Sequence, residues 1–156
     1  MPIPSHRRPG NETSCVICCG NPYMGNDAAG IRVGEQLSAT HPELAVIDGG
    51  LGGLALIPLM EGYDRVVIVD AMTGFGSLGE VHVFLQPPPS SLFPMALHDV
   101  GIAETLRIAS AVGSTAEVVV VGIEGGVIEA FSDRMDPEVE AAVGEACRTV
   151  LALLKE

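Results

Sequence analysis

The stretch that decides the fold of this chain is RVVIVD at residues 65–70, where an unbroken apolar run ends in an acid. A short run of β-branched residues without polar alternation is typical of a strand that is buried on both faces of a sheet. The runs SCVICC at Ser14–Cys19 and EVVVV at 117–121 have the same character. Strands of this kind need helices on both faces, so the sequence predicts a three-layer α/β/α protein with a largely parallel sheet.

Working outward from this run, predicted strands and helices alternate along the chain. The remaining strands are expected at 14–19, 43–47, 80–85 and 117–121, and the helices at 27–39, 54–61, 101–112 and from Pro137 onward. The segment EVHVFL at 80–85 alternates polar and apolar residues, which predicts an edge strand with one face in water. The last helix is the best marked, because Asp136 suits the N-cap and Pro137 suits the first helical position.

Length and composition limit the range of functions. The 156 residues suggest one domain, and we expect a single α/β domain at 14–156 after a disordered tail at 1–13. The net charge of −12 repels phosphate backbones, which argues against nucleic-acid binding. No segment has the apolar length to span a bilayer or to act as a signal peptide. We therefore expect a monomeric cytoplasmic protein that binds neither nucleic acid nor membrane.

The cysteines invite a redox or zinc interpretation that their setting does not favour. Cys15 and Cys18 have C-x-x-C spacing, with Cys19 beside them and Cys147 far away. A redox pair usually opens a helix, whereas these residues lie inside an apolar run. A zinc site would need a second pair, and the sequence has none. We expect all of them to pack as small hydrophobic residues.

Three residues carry the candidate chemistry: Asp27, Asp70 and His98. Asp27 follows the first predicted strand, Asp70 ends the run at 65–70, and His98 precedes the helix at 101–112. Ligands of open α/β sheets bind at the carboxyl edge, and two carboxylates with an imidazole suit a transition metal. The sequence therefore predicts a metal site there. Each residue also has a purely structural interpretation, as a helix cap, a turn former and a surface histidine respectively.

Other common chemistries find little support in the sequence. The loop GNPYMGNDAAG at 20–30 has the glycine spacing of a phosphate loop, but Asn26 and Asp27 stand where Lys and Ser or Thr are needed. There is no G-x-S-x-G for a serine hydrolase and no H-E-x-x-H for a zinc protease. His82 lies in the predicted edge strand, where its ring should face solvent or pack locally.

Several short motifs occur in a fixed order along the chain. They are G-N-P-x-x-x-x-D-x-x-G at 20–30, D-G-G at 48–50, V-D-A at 69–71, L-H-x-x-G at 97–101 and V-G-I-E at 121–124. No one of them is diagnostic, but the ordered set resembles the hydrogenase maturation proteases. The resemblance runs from Ser14 to the C-terminus and so covers almost the whole chain.

This resemblance implies a fold and an activity. The fold would be a five-stranded mixed sheet of order 2-1-3-5-4, in which strand 4 is antiparallel. The activity would be that of an endopeptidase that removes a C-terminal extension from the large-subunit precursor of a nickel–iron hydrogenase, after nickel has been inserted. That precursor would be the partner of this chain.

The resemblance also implies roles for particular residues. Asp27, Asp70 and His98 would form the metal-binding set, and Asp48 would take part in substrate handling. The family often has two acids in the first loop, and here Asn26 stands in the first place while Asp27 keeps the second. The metal would be nickel, recognised inside the precursor rather than bound permanently. No catalytic residue is identified beyond this cluster.

Other interpretations of the cluster stay open at this point. A permanently bound zinc ion could activate a water molecule and hydrolyse the peptide directly. The chain could also be a non-catalytic α/β module that binds a metal or an anion, or a peptidase of similar fold with another substrate. Specific cleavage of a precursor would separate the enzyme from the module.

Overall fold

The structure is a computed structural model that describes residues 13–88, 101–129 and 131–155. The strands are β1 (Ser14–Cys19), β2 (Val46–Gly50), β3 (Arg65–Met72), β4 (Val81–Phe84) and β5 (Glu117–Glu124). The helices are α1 (Ala29–Thr40), α2 (Leu56–Met60), α3 (Ile102–Ala111) and α4 (Pro137–Leu154), with short 3-10 helices at Gly25–Ala28 and Gly53–Ala55. His98 and the predicted tail before Thr13 lie outside the described residues.

The strands form one sheet of order β2-β1-β3-β5-β4. Val16 of β1 pairs with Val46 of β2 and Val67 of β3, and Val67 pairs with Val119 of β5, all in parallel ladders. β4 pairs with β5 in the antiparallel direction. The predicted topology is therefore confirmed, including the antiparallel edge strand.

Helices cover both faces of this sheet. On one face, Val67 packs in a cluster with Val33 of α1 and Val150 of α4. On the other face, Ile68 packs with apolar residues of α2 and α3. This arrangement confirms the predicted three-layer α/β/α architecture. None of the helices in the described ranges has both the length and the apolar character needed to span a lipid bilayer.

Several predicted boundaries are wrong, and two of them concern the candidate site. β3 continues past Asp70, because Asp70 pairs with Gly122 of β5 and the backbone hydrogen bonds of the ladder continue. α1 begins only after Asp27, which lies in the preceding 3-10 helix. β2 and β5 also end later than predicted, at Gly50 and Glu124. Strand pairing thus outweighs the turn preference of acids and glycines at these positions.

The predicted wet face of the edge strand is also wrong. The ring of His82 in β4 packs edge-on against the ring of Phe75, with 4.6 Å between the ring centroids. Val83, on the opposite face, is the more open residue at 41% exposure. Phe75 belongs to the loop after β3, which covers the face that alternation assigns to solvent. Of the two alternatives predicted for the His82 ring, facing solvent or packing locally, the structure shows local packing.

The packing role predicted for the cysteines is confirmed. All four are buried, and none of them forms a disulfide. Burial raises the pKa of Cys15 to about 11. Burial, together with nearby charges, raises the pKa of Cys18 to about 12. The thiols of Cys15 and Cys18 are therefore in the neutral form at neutral pH, as suits small side chains that pack in the core.

The approach of α1 to the sheet gives a test of the fold. A Cβ on Gly30 would lie 2.2 Å from the carbonyl oxygen of Cys19 and 2.8 Å from that of Val69. We expect Gly30→Ala to lower the free energy of unfolding by roughly 1–3 kcal/mol, because the helix must move away from both strands. Urea denaturation followed by circular dichroism would measure this change.

A matched control is Gly144→Ala, in the middle of α4. There a Cβ would meet only the end of Arg148, at 3.6 Å. The substitution should raise the free energy of unfolding by about 0.5–1 kcal/mol, because alanine favours the helix more than glycine does. Equal effects of the two substitutions would contradict the close contact at Gly30.

Candidate active site

The loop between β1 and α1 places Asp27 in the interior. Gly20 has a φ of +148°, and a Cβ there would lie 2.2 Å from the carbonyl oxygen of Asp27. Only glycine allows the loop to fold back this closely. At the far end of the loop, Gly30 rests on the carbonyl oxygens of Cys19 and Val69. The loop is therefore pressed against the carboxyl ends of β1 and β3.

The carboxylate of Asp27 is buried but only partly satisfied. The side chain is 0% exposed, and its Oδ2 accepts a hydrogen bond of 2.9 Å from the backbone N–H of Asn21. Among the described residues, its Oδ1 has no hydrogen-bond partner. Burial raises the pKa of Asp27, and the N–H of Asn21 opposes this rise. A buried acceptor without a partner is unfavourable, so this oxygen suits an incoming cation or donor.

Asp70 lies next to Asp27 and is buried as well. Its exposure is 4%, and its Oδ1 accepts a hydrogen bond of 2.8 Å from the N–H of Ala71. The pKa of Asp70 is raised well above its ordinary value, first by burial and then by the charge of Asp27, while the N–H of Ala71 opposes the rise. The two predicted carboxylates are thus close enough to repel each other.

The pair offers part of a metal site. Groups of three or more histidine, cysteine, aspartate or glutamate side chains that could hold a metal are absent from the part of the chain that the structure describes. Asp27 and Asp70 supply two carboxylates, and the unpartnered oxygen of Asp27 fits a cation. His98 lies outside the described residues, so the three-residue set stays a prediction.

Asp48 does not join this pair. It pairs with Cys18 in the sheet, as Val69 does, so its side chain lies on the α1 face and not on the face of Asp70. It is exposed, and its Oδ1 accepts a hydrogen bond of 2.8 Å from the N–H of Gly50. It borders a separate cavity of about 340 Å³ against α1. Its role in substrate handling stays a prediction.

Asn26 has a structural role that the sequence did not reveal. Its side chain is 6% exposed, and its Nδ2 donates to the carbonyl oxygen of Gly125 at 2.9 Å and to Asp136 Oδ2 at 2.8 Å. Its Oδ1 accepts a hydrogen bond of 2.9 Å from the N–H of Asp136. An aspartate could not donate these two bonds, so this arrangement requires the amide of Asn26. Asp136 is the N-cap residue of α4, as predicted, but without a side-chain cap hydrogen bond.

Glu124 is a second residue that sequence reasoning missed. It is 1% exposed, and both carboxylate oxygens accept backbone N–H bonds: Oε1 from Phe75 and Gly76, and Oε2 from Gly74 and Gly126. Burial raises its pKa, but these donors outweigh burial, so the pKa lies below its ordinary value. The ionised side chain fixes the loop after β3. The only sequence signal was its place in the V-G-I-E motif.

The sheet order and the buried carboxylate pair define an α/β protein with an acidic site at the carboxyl edge of its sheet. The fold is that of the Escherichia coli hydrogenase maturating endopeptidase HybD, with a TM-score of 0.72, 24% identity and 92% of each chain covered. The sequence profile of the family described as HycI, hydrogenase maturation protease, matches residues 31–153. The chain belongs to the hydrogenase maturation protease family.

Two curated relatives match this chain over most of its length. Protein HydD of Wolinella succinogenes is 31% identical over 118 residues, which cover 72% of this chain and 74% of the relative. The hydrogenase 2 maturation protease of Escherichia coli is 27% identical over 148 residues, which cover 90% of both chains. This chain is therefore a peptidase, which excludes the non-catalytic module as an interpretation.

The raised pKa of Asp70 predicts how stability depends on pH. The folded protein binds the proton of Asp70 more tightly than the unfolded chain, whose pKa is the ordinary 3.8. The contribution of Asp70 to stability is thus complete below that value and is lost as the pH rises through the folded pKa. We expect Asp70→Asn to melt at a higher temperature than the wild type at about pH 7, and the difference to shrink as the pH falls toward about 4.

Thermal melts of both proteins in a metal chelator would measure this difference. In an Asp27→Asn background the gain from Asp70→Asn should be smaller, because the charge of Asp27 is one cause of the raised pKa. A variant that is less stable than the wild type at neutral pH, or a difference that grows with acidity, would show that Asp70 is not held as described.

Proposed function

We propose that this chain removes the C-terminal extension from the large-subunit precursor of a nickel–iron hydrogenase after nickel has been inserted. One observation carries the proposal: the buried carboxylates of Asp27 and Asp70 repel each other, and Oδ1 of Asp27 has no hydrogen-bond partner among the residues that the structure describes. Membership of the maturation protease family supports the choice of substrate class.

The electrostatics of the pair support recognition of a metal ion. Burial and mutual repulsion favour a proton on Asp70 when no cation is present. A divalent cation would replace that proton and turn the repulsion between Asp27 and Asp70 into attraction for the cation. The pair would therefore bind a precursor that carries its metal more tightly than one that does not.

We propose that nickel belongs to the substrate and not to the peptidase. Asp27, Asp70 and His98 would offer it two oxygen ligands and one imidazole nitrogen, and its other ligands would remain those of the precursor. These residues would then sense the metal and orient the peptide segment that is cleaved. A peptidase with a resident zinc ion would instead cleave both the nickel-loaded and the nickel-free precursor.

The test is incubation of the purified protein with nickel-loaded and nickel-free precursor, followed by mass spectrometry. We expect a loss of mass only in the loaded sample. Equal cleavage of both samples would contradict nickel recognition, and metal analysis of the dialysed peptidase would then test for resident zinc. Cleavage of neither sample would contradict the proposed substrate and favour a different polypeptide.

Asp70→Asn should abolish processing while the protein stays folded. The amide keeps the shape of the side chain but cannot act as an anionic ligand, so the attraction for the cation is lost. Circular dichroism and thermal melting would check the fold, and cleavage of the nickel-loaded precursor would check the activity. Full activity of the variant would remove Asp70 from the site.

A comparison of two histidines tests the third predicted ligand. His98→Ala should abolish processing, because alanine cannot replace an imidazole ligand. His82→Ala should leave processing within a few-fold of the wild type, since the contacts described for the His82 ring are those with Phe75 and Glu80 and do not include the carboxylate pair. Equal losses, or no loss from His98→Ala, would overturn the assignment of His98.

A further inference from the structure

A cavity of about 620 Å³ lies beside the loop that carries Asp27. It is lined by Asn21, Tyr23, Met24, Phe131, Ser132 and Asp133. Asn21 joins the cavity to the candidate active site, because its backbone N–H is the donor to Asp27 Oδ2 at 2.9 Å. The cavity and the buried carboxylate pair therefore share a wall.

The backbone around this cavity is held in place by hydrogen bonds. Met24 and Ser132 form an isolated parallel bridge between the β1–α1 loop and the segment before α4. The N–H of Gly25 donates a hydrogen bond of 2.8 Å to the carbonyl oxygen of Ser132. The N–H of Ser132 in turn donates a hydrogen bond of 2.9 Å to the carbonyl oxygen of Tyr23. The two segments that form the walls are thus tied together even though their side chains are open to solvent.

Two aromatic side chains of these walls are exposed to an unusual degree. Tyr23 is 72% exposed and Phe131 is 97% exposed. Phe131 also has a φ of +56°, in the left-handed region that bulky residues rarely adopt. Strained residues of this kind cluster at ligand-binding positions, and exposed apolar rings gain stability only when something covers them.

We propose that this cavity is a subsite that receives an apolar side chain of the precursor polypeptide, close to the bond that is cleaved. The proposal rests on the function proposed above. A peptidase substrate is a polypeptide, and the chain on either side of the cleaved bond must run over the surface next to the carboxylate pair. The cavity that shares Asn21 with Asp27 is such a surface.

The lining of the cavity determines what it can accept. The rings of Tyr23 and Phe131 and the thioether of Met24 favour an apolar side chain by burial and aromatic contact. The carboxylate of Asp133 at the cavity disfavours an acidic side chain. A second copy of this chain is disfavoured as the occupant, because each copy has a net charge of −12 and like charges repel.

Kinetics of processing test the subsite. With nickel-loaded precursor, Phe131→Ala and Tyr23→Ala should each raise KM roughly tenfold and leave kcat within about twofold, because the lost contact binds substrate and does no chemistry. Phe131→Leu should recover most of the loss, since it keeps an apolar side chain. Leu85→Ala is the matched control, because Leu85 is 66% exposed and lies far from the cavity. It follows β4, which is antiparallel, and is therefore near the amino ends of the parallel strands.

A photo-crosslink separates this proposal from the proposed function. Phe131→p-benzoylphenylalanine, irradiated with the precursor and mapped by mass spectrometry, should crosslink an apolar residue within a few positions of the cleaved bond, whereas the same change at Leu85 should not. Processing without a crosslink, a crosslink to a second copy of this chain, or a KM unchanged by Phe131→Ala would overturn the subsite. A crosslink to the extension region without processing would support the subsite and overturn the proposed function. If the precursor is neither processed nor crosslinked, both the subsite and the proposed function are wrong.

Discussion

Two carboxyl groups held together in the protein interior are the constraint on which the rest of the site depends. Burying a carboxylate is unfavourable unless a proton, a cation or a set of donors compensates for the lost water. Asp27 and Asp70 have one backbone N–H donor each and repel each other. A site of this kind binds positive charge favourably. A substrate that carries a bound cation would therefore bind more tightly than the same substrate without it.

The surrounding fold keeps this unfavourable arrangement in place. All eight residues of β3 are buried, so Asp70 projects from the most completely buried strand of the sheet. Asp27 lies in the β1–α1 connection, which can approach the sheet so closely only because Gly20 in the loop and Gly30 in α1 have no Cβ. Neither carboxylate can turn toward solvent without disturbing the packing of β3 or α1, and this restraint keeps the two groups close together.

The residue pattern predicted the buried strands and the three layers, and the family resemblance supplied the strand order, but neither revealed the contacts that complete the site. Runs such as RVVIV and SCVICC predict buried strands, because the apolar side chains that drive burial lie within the run and can be read from the sequence. Strand ends were harder to predict, since the ladder partners of Asp70 and Glu124 lie far away in the chain. The contacts of Asn26 and Glu124 were missed for the same reason: Asn26 bonds a residue 110 positions away, and Glu124 bonds residues 48 to 50 positions away. His98 stays a prediction.

The exchange of hydrogen bonds between Asn26 and Asp136 couples the stability contributions of these two positions. An acid at position 26 would bring a second carboxylate against that of Asp136 and would lose both bonds that the amide donates. A substitution of Asn26 alone therefore lowers the stability of the protein, whereas a compensating substitution of Asp136 can reduce this loss. The β1–α1 loop and the start of α4 therefore hold each other in place, so the effect of a substitution at either position depends on the residue at the other.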